Sequence, residues 1–533
     1  ELKNLIYDNY DGVWTKLNVN AKGLNYSLVR SSYDLILDKY YNMFNIKKDS
    51  STVTALLFND IYINDLKLTK LLNSILNYDE KYLSTVLNYK DLILPTKHLS
   101  LSLKRKRNIK IHENNLNAFI NSFNIGMIDY QKKYNDYIKK MKRVGNDIEQ
   151  TWLKLVKTDY QTIHNEYLEN YLIAIIEQNV LYNKLSKHLT MEEFNILINP
   201  IEQLESYRAD LEINKLINKI NKDELSYRYW YSSSTLKILK DYEEENKEYY
   251  HPLFRKYIDM YGYLPFNQND ISSEFYVEDV EEVIRIIKKQ LSNFSVITNK
   301  KKERDAILKK LENSLPPKKF SEIFSKIDRL QELMIKKSCM ANFLLKYHFL
   351  IKRYTKALAK LYLNKKIIDT ENDIWYLDIN YLYSYIDGDI DPLIIKENIK
   401  TNKTYYNSYR NYNNICYLGT RHAKEKYDLM GEGYSGTIFK GYVRKIKSLK
   451  ELEILTKEDI LVTKTLNDNL LFHLPEVSGI IVSDNYLSSN VKTILREMNI
   501  PCFMLDNCSK KLNNGDNITV YVYDGGIKNN KKR

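Results

Sequence analysis

Glycine and proline are scarce in this sequence, with 15 and 9 copies among 533 residues. Because a turn-rich all-β fold needs more of both, their scarcity favours long helices. Long apolar runs are also absent, since stretches such as residues 172–176 fall far short of the roughly 20 residues of a membrane-spanning helix. No signal-peptide pattern opens the chain. We therefore expect a cytoplasmic protein that makes no use of the membrane and is long enough for two to four domains.

Cysteine is rare as well, and its distribution excludes a disulfide scaffold. Cys339, Cys416, Cys502 and Cys508 form no C-x-x-C pair, and four cysteines are too few for a disulfide framework in so long a chain. Neither Cys502 nor Cys508 has a neighbouring histidine or other activating base. We therefore expect inert thiols at these positions.

The acidic residues show no metal-ligand spacing. One group, at residues 369, 371 and 373, and a second, at 389 and 391, lie beside turn residues or just before a strand-like segment, where turn and capping roles suffice. The His, Cys and Asp spacings match no metal site. A glycine-rich phosphate loop such as G-x-x-x-x-G-K-[ST] is also lacking. We therefore predict no metal and no cofactor for the chain alone.

The excess of positive charge is modest and diluted along the chain. The formal charge is +13, from 81 basic and 68 acidic residues, and only residues 104–107 and 300–302 form tight basic runs. Such runs are usually solvated loops or helix ends, and charge without a base-reading motif is a weak indicator of nucleic-acid binding. We expect any such binding to be weak and unselective.

What the sequence does contain is helical periodicity from about residue 30 to 365. A stripe of apolar and aromatic residues spaced three or four apart predicts one buried helical face. Its members are Trp152, Val156, Tyr160, Ile163, Tyr167 and Tyr171. Such a stripe could line a ligand groove, but packing between helices is the ordinary explanation. We predict a mostly helical region at residues 1–397, divided by prolines and with room for two subdomains.

The pattern changes after about residue 405. Short β-rich runs separated by turn residues appear at 436–446, 459–466, 478–483, 502–505 and 518–523. A helix is predicted between the third and fourth runs, at residues 487–498. We predict a polar, mobile linker at 398–414 and a compact β/α domain at 415–533. The predicted fold class is therefore α+β, with a large helical region followed by a β/β/α domain.

Several motifs follow one another in this β/α region. They are a glycine- and serine-rich segment, a D-I-L-V run, a G-I-I-V run, and a helix start that leads through R-E to I-P. The motif residues include Gly431, Gly433, Ser435, Gly436, Arg444, Asn490 and Arg496. Their order, spacing and strand–helix context resemble the swivelling phosphohistidine domain of phosphoenolpyruvate-utilising enzymes, the family of phosphoenolpyruvate synthase and rifampin phosphotransferase.

The helical region resembles the central domain of the same family. Y-G-Y at residues 261–263, with N-D-I at 269–271 and E-D at 278–279, is similar to the family's Y-G-H, E-x-D-L and E-D-P segments. D-I-W-Y-L at residues 373–377 is similar to a segment that follows a long helix, here about Arg329 to Leu363. Trp14 and Asn18 are similar to the start of that domain, although Ala21 stands where the family has glutamate.

Two departures from the family affect the expected function. Asn490 stands where the resemblance implies the histidine that carries the phosphoryl group. The family's full reaction also implies an ATP-grasp nucleotide-binding domain ahead of the central domain, and we expect none within this chain. Backbone N–H groups at Ser488, Ser489, Asn490 and Val491 could still hold a small anionic or phosphorylated ligand, but helix capping by either serine is at least as good an explanation.

Two functions from different classes fit these observations. The first is a degenerate family member that binds, scaffolds or regulates without phosphohistidine transfer. The second is an active phosphotransferase or condensing-enzyme subunit that obtains ATP and Mg²⁺ through a separate ATP-grasp chain. His422 and His473 are the histidines nearest the relevant motifs in sequence, but a lone histidine is more often structural. We predict the degenerate protein.

Overall fold

A computed structural model describes the chain in two units, Glu1–Gly419 and Thr420–Arg533. The described residues are 14–20, 23–46, 54–57, 60–64, 71–72, 103–141, 147–245, 252–268, 270–292, 300–409, 417–418, 427–436, 438–446, 449–466, 470–471, 474–483, 487, 491, 494–495, 498, 500–522 and 525–530. Helices dominate the first unit and a mixed sheet forms the second, which confirms the predicted α+β class.

The helices of the first unit account for most of its described residues. Their bounds are α1 Gly23–Met43, α2 Leu103–Met141, α3 Ile148–Leu153, α4 Gln161–Leu185, α5 Met191–Ile198, α6 Arg208–Lys222, α7 Glu224–Ser232, α8 Thr235–Glu243, α9 Pro252–Tyr261, α10 Val280–Ser292, α11 Lys301–Ser314, α12 Pro317–Asn364, α13 Ile379–Ile386 and α14 Pro392–Ser408. Among the described residues, no helix combines the length and apolarity that crossing a membrane requires.

The predicted long helix is α12, which extends over 48 residues. It begins at Pro317 rather than near Arg329, because proline fits the first turn of a helix, where its missing N–H is not needed. Helix α4 packs along α12, and buried residues of both helices belong to the main core of the unit. This helix pair is therefore the centre of the first unit.

The predicted stripe from Trp152 to Tyr171 does contribute to this core. Trp152, Val156, Tyr160 and Ile163 are buried, and Trp152 Nε1 donates a hydrogen bond of 2.9 Å to Thr355 Oγ1 on α12. The helical path is not uniform, however. Residues Lys154–Tyr160 form a π-helical segment between α3 and α4, a wider turn that is found mostly as short segments and frequently at functional sites.

A second, smaller core lies within the first unit. Helices α6 to α10 surround buried residues that include Ile217, Trp230, Phe254 and Ile284. This cluster is separate from the main core. Trp230 packs edge-on against Phe254, with ring centroids 5.4 Å apart.

The first unit also contains a small sheet that helical periodicity did not predict. Its strands are β1 Trp14–Asn20, β2 Thr54–Leu57, β3 Asp60–Asn64 and β4 Tyr417–Leu418, in the order β2-β3-β1-β4 with antiparallel pairing. Ile61, Tyr62 and Ile63 are buried, and such β-branched and aromatic residues favour strands. Because β4 pairs with β1, the division between the units follows Gly419 rather than residue 414.

The predicted mobile linker at 398–414 is wrong for residues 398–408. They form the C-terminal part of α14, where Ile399 is buried. Asn398 accepts a hydrogen bond from the backbone N–H of Asp378 at 3.2 Å, and Asn402 Nδ2 donates to the carbonyl of Tyr376 at 2.7 Å. These polar contacts hold α14 against its neighbours, although its sequence shows little apolar periodicity.

The second unit is built on one mixed sheet. Its strands are β5 Leu429–Met430, β6 Glu432–Ser435, β7 Ile438–Lys445, β8 Asp459–Thr463, β9 Gly479–Val482, β10 Cys502–Met504, β11 Asn517–Tyr521 and β12 Gly526–Asn529, in the order β5-β12-β11-β7-β8-β9-β10-β6. Strands β7 to β10 are parallel, and the other pairs are antiparallel. Strands β7 to β11 confirm the five β-rich runs of the sequence.

The parallel strands are buried on both faces. Ile460, Val462 and Ile481 belong to a core on one face, whereas Leu461 and Ile480 belong to a core on the other. This double burial explains why D-I-L-V and G-I-I-V read as continuous apolar runs rather than as alternating patterns. A short helix, α15 Cys508–Lys511, follows β10.

We expect Gly479→Ala to destabilise the second unit. A Cβ at Gly479 would lie 2.5 Å from the ring of Phe439, and such overpacking costs roughly 1–3 kcal/mol of the free energy of unfolding. Urea unfolding of Gly479→Ala, Phe439→Leu and the double variant would measure the coupling between the two positions. The added Cβ should cost less when residue 439 is leucine, and an equal cost in both backgrounds would contradict the contact.

Candidate functional site

The glycine-rich segment of the second unit is held by packing. A Cβ at Gly433 would lie 2.1 Å from the carbonyl oxygen of Val522, so only glycine fits there without a shift of the backbone. Gly436 has a φ of +85° and lies against Pro501. Ser435 Oγ donates a hydrogen bond of 2.6 Å to the carbonyl of Ile500. The structure thus brings this segment to the I-P turn that follows the predicted helix.

Gly431 and Arg444 also have structural contacts. The N–H of Gly431 donates to the carbonyl of Gly525 at 2.9 Å. Arg444 Nε donates to Asp459 Oδ1 at 3.0 Å, across the pairing of β7 with β8. Burial acts to raise the pKa of Asp459, but hydrogen bonds from Thr456 and Arg444 outweigh it and hold that pKa below its ordinary value. These motif residues therefore stabilise the sheet.

The predicted anion site lies almost wholly outside the described residues. Ser488, Ser489, Asn490 and Arg496 are not among them, and neither are the two alternative histidines, His422 and His473. Val491 is described as helical and buried in the core on one face of the sheet, together with Leu495. An anion site at this helix start stays a prediction.

The cysteines and acidic groups have the environments of structural residues. Cys502 is fully buried, and burial raises the pKa of its thiol to about 12; Cys508 is buried as well. Asp391 caps α14 by accepting from the N–H of Leu393, and Asp373 forms a capping box with Thr370, which confirms the capping roles. Within the described ranges, no three His, Cys, Asp or Glu side chains are grouped as metal ligands would be.

The first unit contains a cavity that the sequence did not predict. It has a volume of about 260 Å³ and is bordered by α1, the π-helical segment, α4, α12 and the loop that follows α9. Aromatic and imidazole rings form one part of its wall, and aliphatic side chains form another. The ring residues are Tyr33, Tyr160, His164, Tyr167 and His348, and the apolar residues are Ile271, Ala341, Leu344 and Leu345.

The loop that contributes to this wall is fastened to α12. Tyr263 Oη donates to Asn342 Oδ1 at 2.5 Å, and Lys352 Nζ donates to the carbonyl of Ser273 at 2.6 Å and also pairs with Glu278. Phe275 packs edge-on against Phe349 of α12. The Y-G-Y and E-D motifs at 261–263 and 278–279 therefore fix the loop that carries Gln268 and Ile271 to the cavity.

One hydrogen bond and one ring contact join the tyrosine and the two histidines of the wall. Tyr160 Oη and His348 Nε2 are 3.0 Å apart, and the ring of His164 lies 5.4 Å from that of Tyr160. His164 also has a hydrogen bond to the backbone of Leu28. The remaining nitrogen of each imidazole, Nδ1, is buried without a hydrogen-bond partner, as is Asn25 Oδ1.

These ionisable groups are uncharged near neutral pH. Burial lowers the pKa of His164 to about 4. Burial, followed by the influence of His164, lowers the pKa of His348 to about 3. Burial raises the pKa values of Tyr33, Tyr160 and Tyr167 above the ordinary value for tyrosine. Because Asp, Glu, Lys and Arg are absent from the described lining residues, the cavity has an electrically neutral wall.

The sequence analysis named two of the residues that line this cavity but did not predict the cavity. The stripe included Tyr160 and Tyr167, and both line the cavity in addition to bordering the core. His164 lies four residues after Tyr160, on the same helical face, and this spacing was a signal that could have been used. His348 comes from α12, so no local pattern could have paired it with Tyr160.

We expect His164 to make the first unit sensitive to acid. Because its pKa is near 6.5 in the unfolded chain and about 4 in the fold, only the unfolded chain takes up the proton between these values. The stability is therefore present above pH 6.5 and is lost progressively as the pH falls to 4, by about 3 kcal/mol. Urea unfolding at several pH values should show a shallower loss in His164→Phe.

The matched control is His188→Gln, because His188 is partly exposed and lies outside the cavity wall. This variant should lose stability in parallel with the wild type as the pH falls. An unchanged pH dependence in His164→Phe would contradict a buried, neutral imidazole at position 164.

Comparison with known proteins finds one matching segment in each unit. Residues 167–350 match the fourth domain of rifampicin (rifampin) phosphotransferase, and residues 455–525 match the mobile domain of phosphoenolpyruvate-utilising enzymes. No curated protein matches the chain significantly. The first match includes the part of α12 that lines the cavity, and the second includes position 490. The chain belongs to the phosphoenolpyruvate-utilising enzyme family, as a rifampicin phosphotransferase-like member.

Proposed function

We propose that this chain is a degenerate member of its family that binds, scaffolds or regulates and does not transfer phosphate through its mobile domain. The observation that carries the proposal is Asn490. This residue lies inside the segment that matches the mobile domain, at the position that the G-G-x-x-S-H-A pattern of the family gives to histidine.

The chemical reason is the electronic structure of the amide. A phosphoryl carrier must attack the donor phosphate as a nucleophile and then depart from the acceptor as a leaving group. An imidazole nitrogen has a free lone pair and can do both. The lone pair of the asparagine nitrogen is delocalised into its carbonyl group, so Asn490 can do neither.

The contacts of the other motif residues do not require a histidine at position 490. Gly433 packs against Val522, the residue that follows β11, whereas Gly436 and Ser435 contact the 500–501 turn and Arg444 joins two strands. These interactions stabilise the second unit whether or not a carrier is present. A phosphate or carboxylate held by the N–H groups at Ser488 to Val491 would need no histidine either, because the helix start supplies the donors.

An active phosphotransferase or condensing-enzyme subunit is the competing function. The match of residues 167–350 to a domain of a phosphotransferase favours it. In that case a separate ATP-grasp chain would be the partner and would supply ATP and Mg²⁺, and the reaction would proceed without phosphate on residue 490.

We expect no phosphorylation of the second unit in the wild-type protein. The measurement is incubation with ATP labelled at the β or the γ phosphate, with and without a candidate ATP-grasp protein, followed by tests of the retained label in acid and in base. Asn490→His should gain acid-labile, base-stable label only when an ATP-grasp protein supplies bound nucleotide, because transfer depends on positioning and charge neutralisation.

Asn490→Ala is the matched control, since it changes the same position without adding an imidazole. It should behave as the wild type does. Acid-labile, base-stable label on the wild-type protein would mean that another histidine carries the phosphoryl group, and the degenerate assignment would then be abandoned.

A further inference from the structure

We propose that one face of the sheet in the second unit binds single-stranded nucleic acid without sequence preference. This inference goes beyond the proposed function and does not depend on Asn490. The surface, which we call the open sheet face, consists of outward-facing residues of β7, β11 and β12. Its members are Ile438, Lys440, Tyr442, Thr519, Tyr521 and Lys528.

The open sheet face is the uncovered half of one side of the sheet. Over β8, β9 and β10 this side is packed beneath a core that includes Leu471, Leu487 and Val491. Arg444 of β7 pairs in register with Leu461 of that core, so β7 presents its exposed residues on the same side. Residues 438, 440, 442 and 444 of β7 are all exposed. In the described part of the second unit, no helix covers this half of the sheet.

Strand register arranges the open sheet face in rows. Lys440, Thr519 and Lys528 are paired across β7, β11 and β12. Because neighbouring strands are spaced by about 4.8 Å, the two lysine backbones lie roughly 10 Å apart. Tyr521 lies on one side of this row and Tyr442 lies on the other. A row of cations is therefore flanked by aromatic side chains.

Positive charge predominates on this surface. Lys440 is exposed, and no carboxylate among the described residues pairs with it. The acids that border the surface have other partners, since Asp459 accepts from Arg444 Nε at 3.0 Å and Asp428 accepts from the backbone N–H of Asn529 at 2.7 Å. Two lysines with only a threonine between them favour an anionic partner.

The aromatic side chains provide surfaces for stacking. The residue Tyr442 is 43% exposed. Tyr427 packs against Tyr521 with ring centroids 5.4 Å apart, and Lys528 Nζ lies 5.6 and 5.5 Å from the two centroids. Gly526 makes room for this pair, because a Cβ there would lie 2.2 Å from the ring of Tyr427. The surface thus combines exposed aromatic area with cations.

This combination suits a single strand better than an acidic protein. Lysine is depleted from the cores of protein interfaces, whereas here the lysine row lies between the aromatic side chains rather than at a rim. Phosphates neutralise lysines while unpaired bases stack on aromatic rings, which is how proteins bind single strands without reading their sequence. The bases of a duplex are stacked on one another and are not available to the tyrosines. The expected ligand is therefore single-stranded RNA or DNA.

The inference departs in part from the sequence-based expectation of weak, unselective binding. That expectation rested on scattered lysines and on the lack of a base-reading motif. The open sheet face combines residues 438–442, 517–521 and 526–528, so no local run of the sequence reveals it. Binding should still be unselective, because every base has a π-face and stacking tolerates any sequence.

Fluorescence anisotropy of the full chain would test the inference. The probes are labelled oligo(dT), oligo(U) and a duplex, each of about 12 nucleotides or base pairs. We expect the single strands to bind at about 50 mM salt and to bind more weakly at about 200 mM. The duplex should bind at least about 10-fold more weakly, since its bases cannot stack on the protein. The tighter of the two single strands identifies RNA or DNA as the source.

Variants of the second unit locate the site. Tyr442→Ala should lower the affinity roughly 5-fold or more, whereas Tyr442→Phe keeps the ring and should bind as the wild type does. Lys440→Gln should lower the slope of log affinity against log salt by about 0.7, as expected for one lost phosphate contact. Lys510→Gln is the matched control, because Lys510 is exposed on α15 and lies outside the open sheet face.

An acidic protein is the competing occupant, and unlabelled oligoglutamate with the net charge of the probe distinguishes it. We expect oligoglutamate to leave the bound single strand in place at equal concentration. Displacement would overturn the inference and assign the surface to an acidic polypeptide.

Three other results would also overturn it. These are no binding of single strands by the wild type, equal affinity for the duplex, or unchanged binding in Tyr442→Ala that thermal unfolding shows to be folded. The wild-type comparison is decisive if a variant does not fold. None of these results depends on labelling of position 490, so a failure here and a failure of the proposed function are distinguishable.

Discussion

The packing of α4 against α12 is the contact on which the rest of the first unit depends. It places Tyr160, at the end of the π-helical segment just before α4, within hydrogen-bond distance of His348 on α12. It also forms the polar bridge in which Glu177 accepts from Arg329 at 2.8 Å and pairs with His112 at 3.0 Å. Because α12 anchors the loop after α9 through Lys352, a shift of this helix would move three walls of the cavity together.

The second unit depends on a different constraint. Its strands and turns approach one another closely at glycine positions, where there is no side chain. Gly433 and Gly479 lie where a Cβ would meet a backbone oxygen or an aromatic ring. The residues of the family motif that the structure describes serve this packing. The motif can therefore specify a fold independently of the chemistry at position 490, and the resemblance identified the family while leaving the reaction open.

Much of the second unit could be predicted from sequence, because its signals are local. β-rich runs that include residues 459–462 and 479–482 predicted strands, and turn residues separated them; their parallel pairing is visible only in the structure. The cavity could not be predicted in this way, since His348 and Tyr160 are distant in sequence. The strands at Thr54–Leu57 and Asp60–Asn64 form a local antiparallel pair, but the pairing of Asp60–Asn64 with β1 and of β1 with β4 is long-range, and helical periodicity gave no signal of this sheet. The helix at residues 398–408 was not predicted because polar side chains make several of its contacts, so its sequence shows little apolar periodicity.

The two candidate sites differ in how they relate to stability. In the described part of the second unit, the motif residues satisfy local rules and stabilise the sheet. In the first unit, Asn25 and His164 leave buried acceptors unpaired, an arrangement that an apolar wall would avoid and that costs free energy of folding. Departures from stability rules occur in proteins chiefly at functional sites. The described motif residues of the second unit therefore account for its stability, and they do so whatever residue stands at the carrier position of the mobile domain.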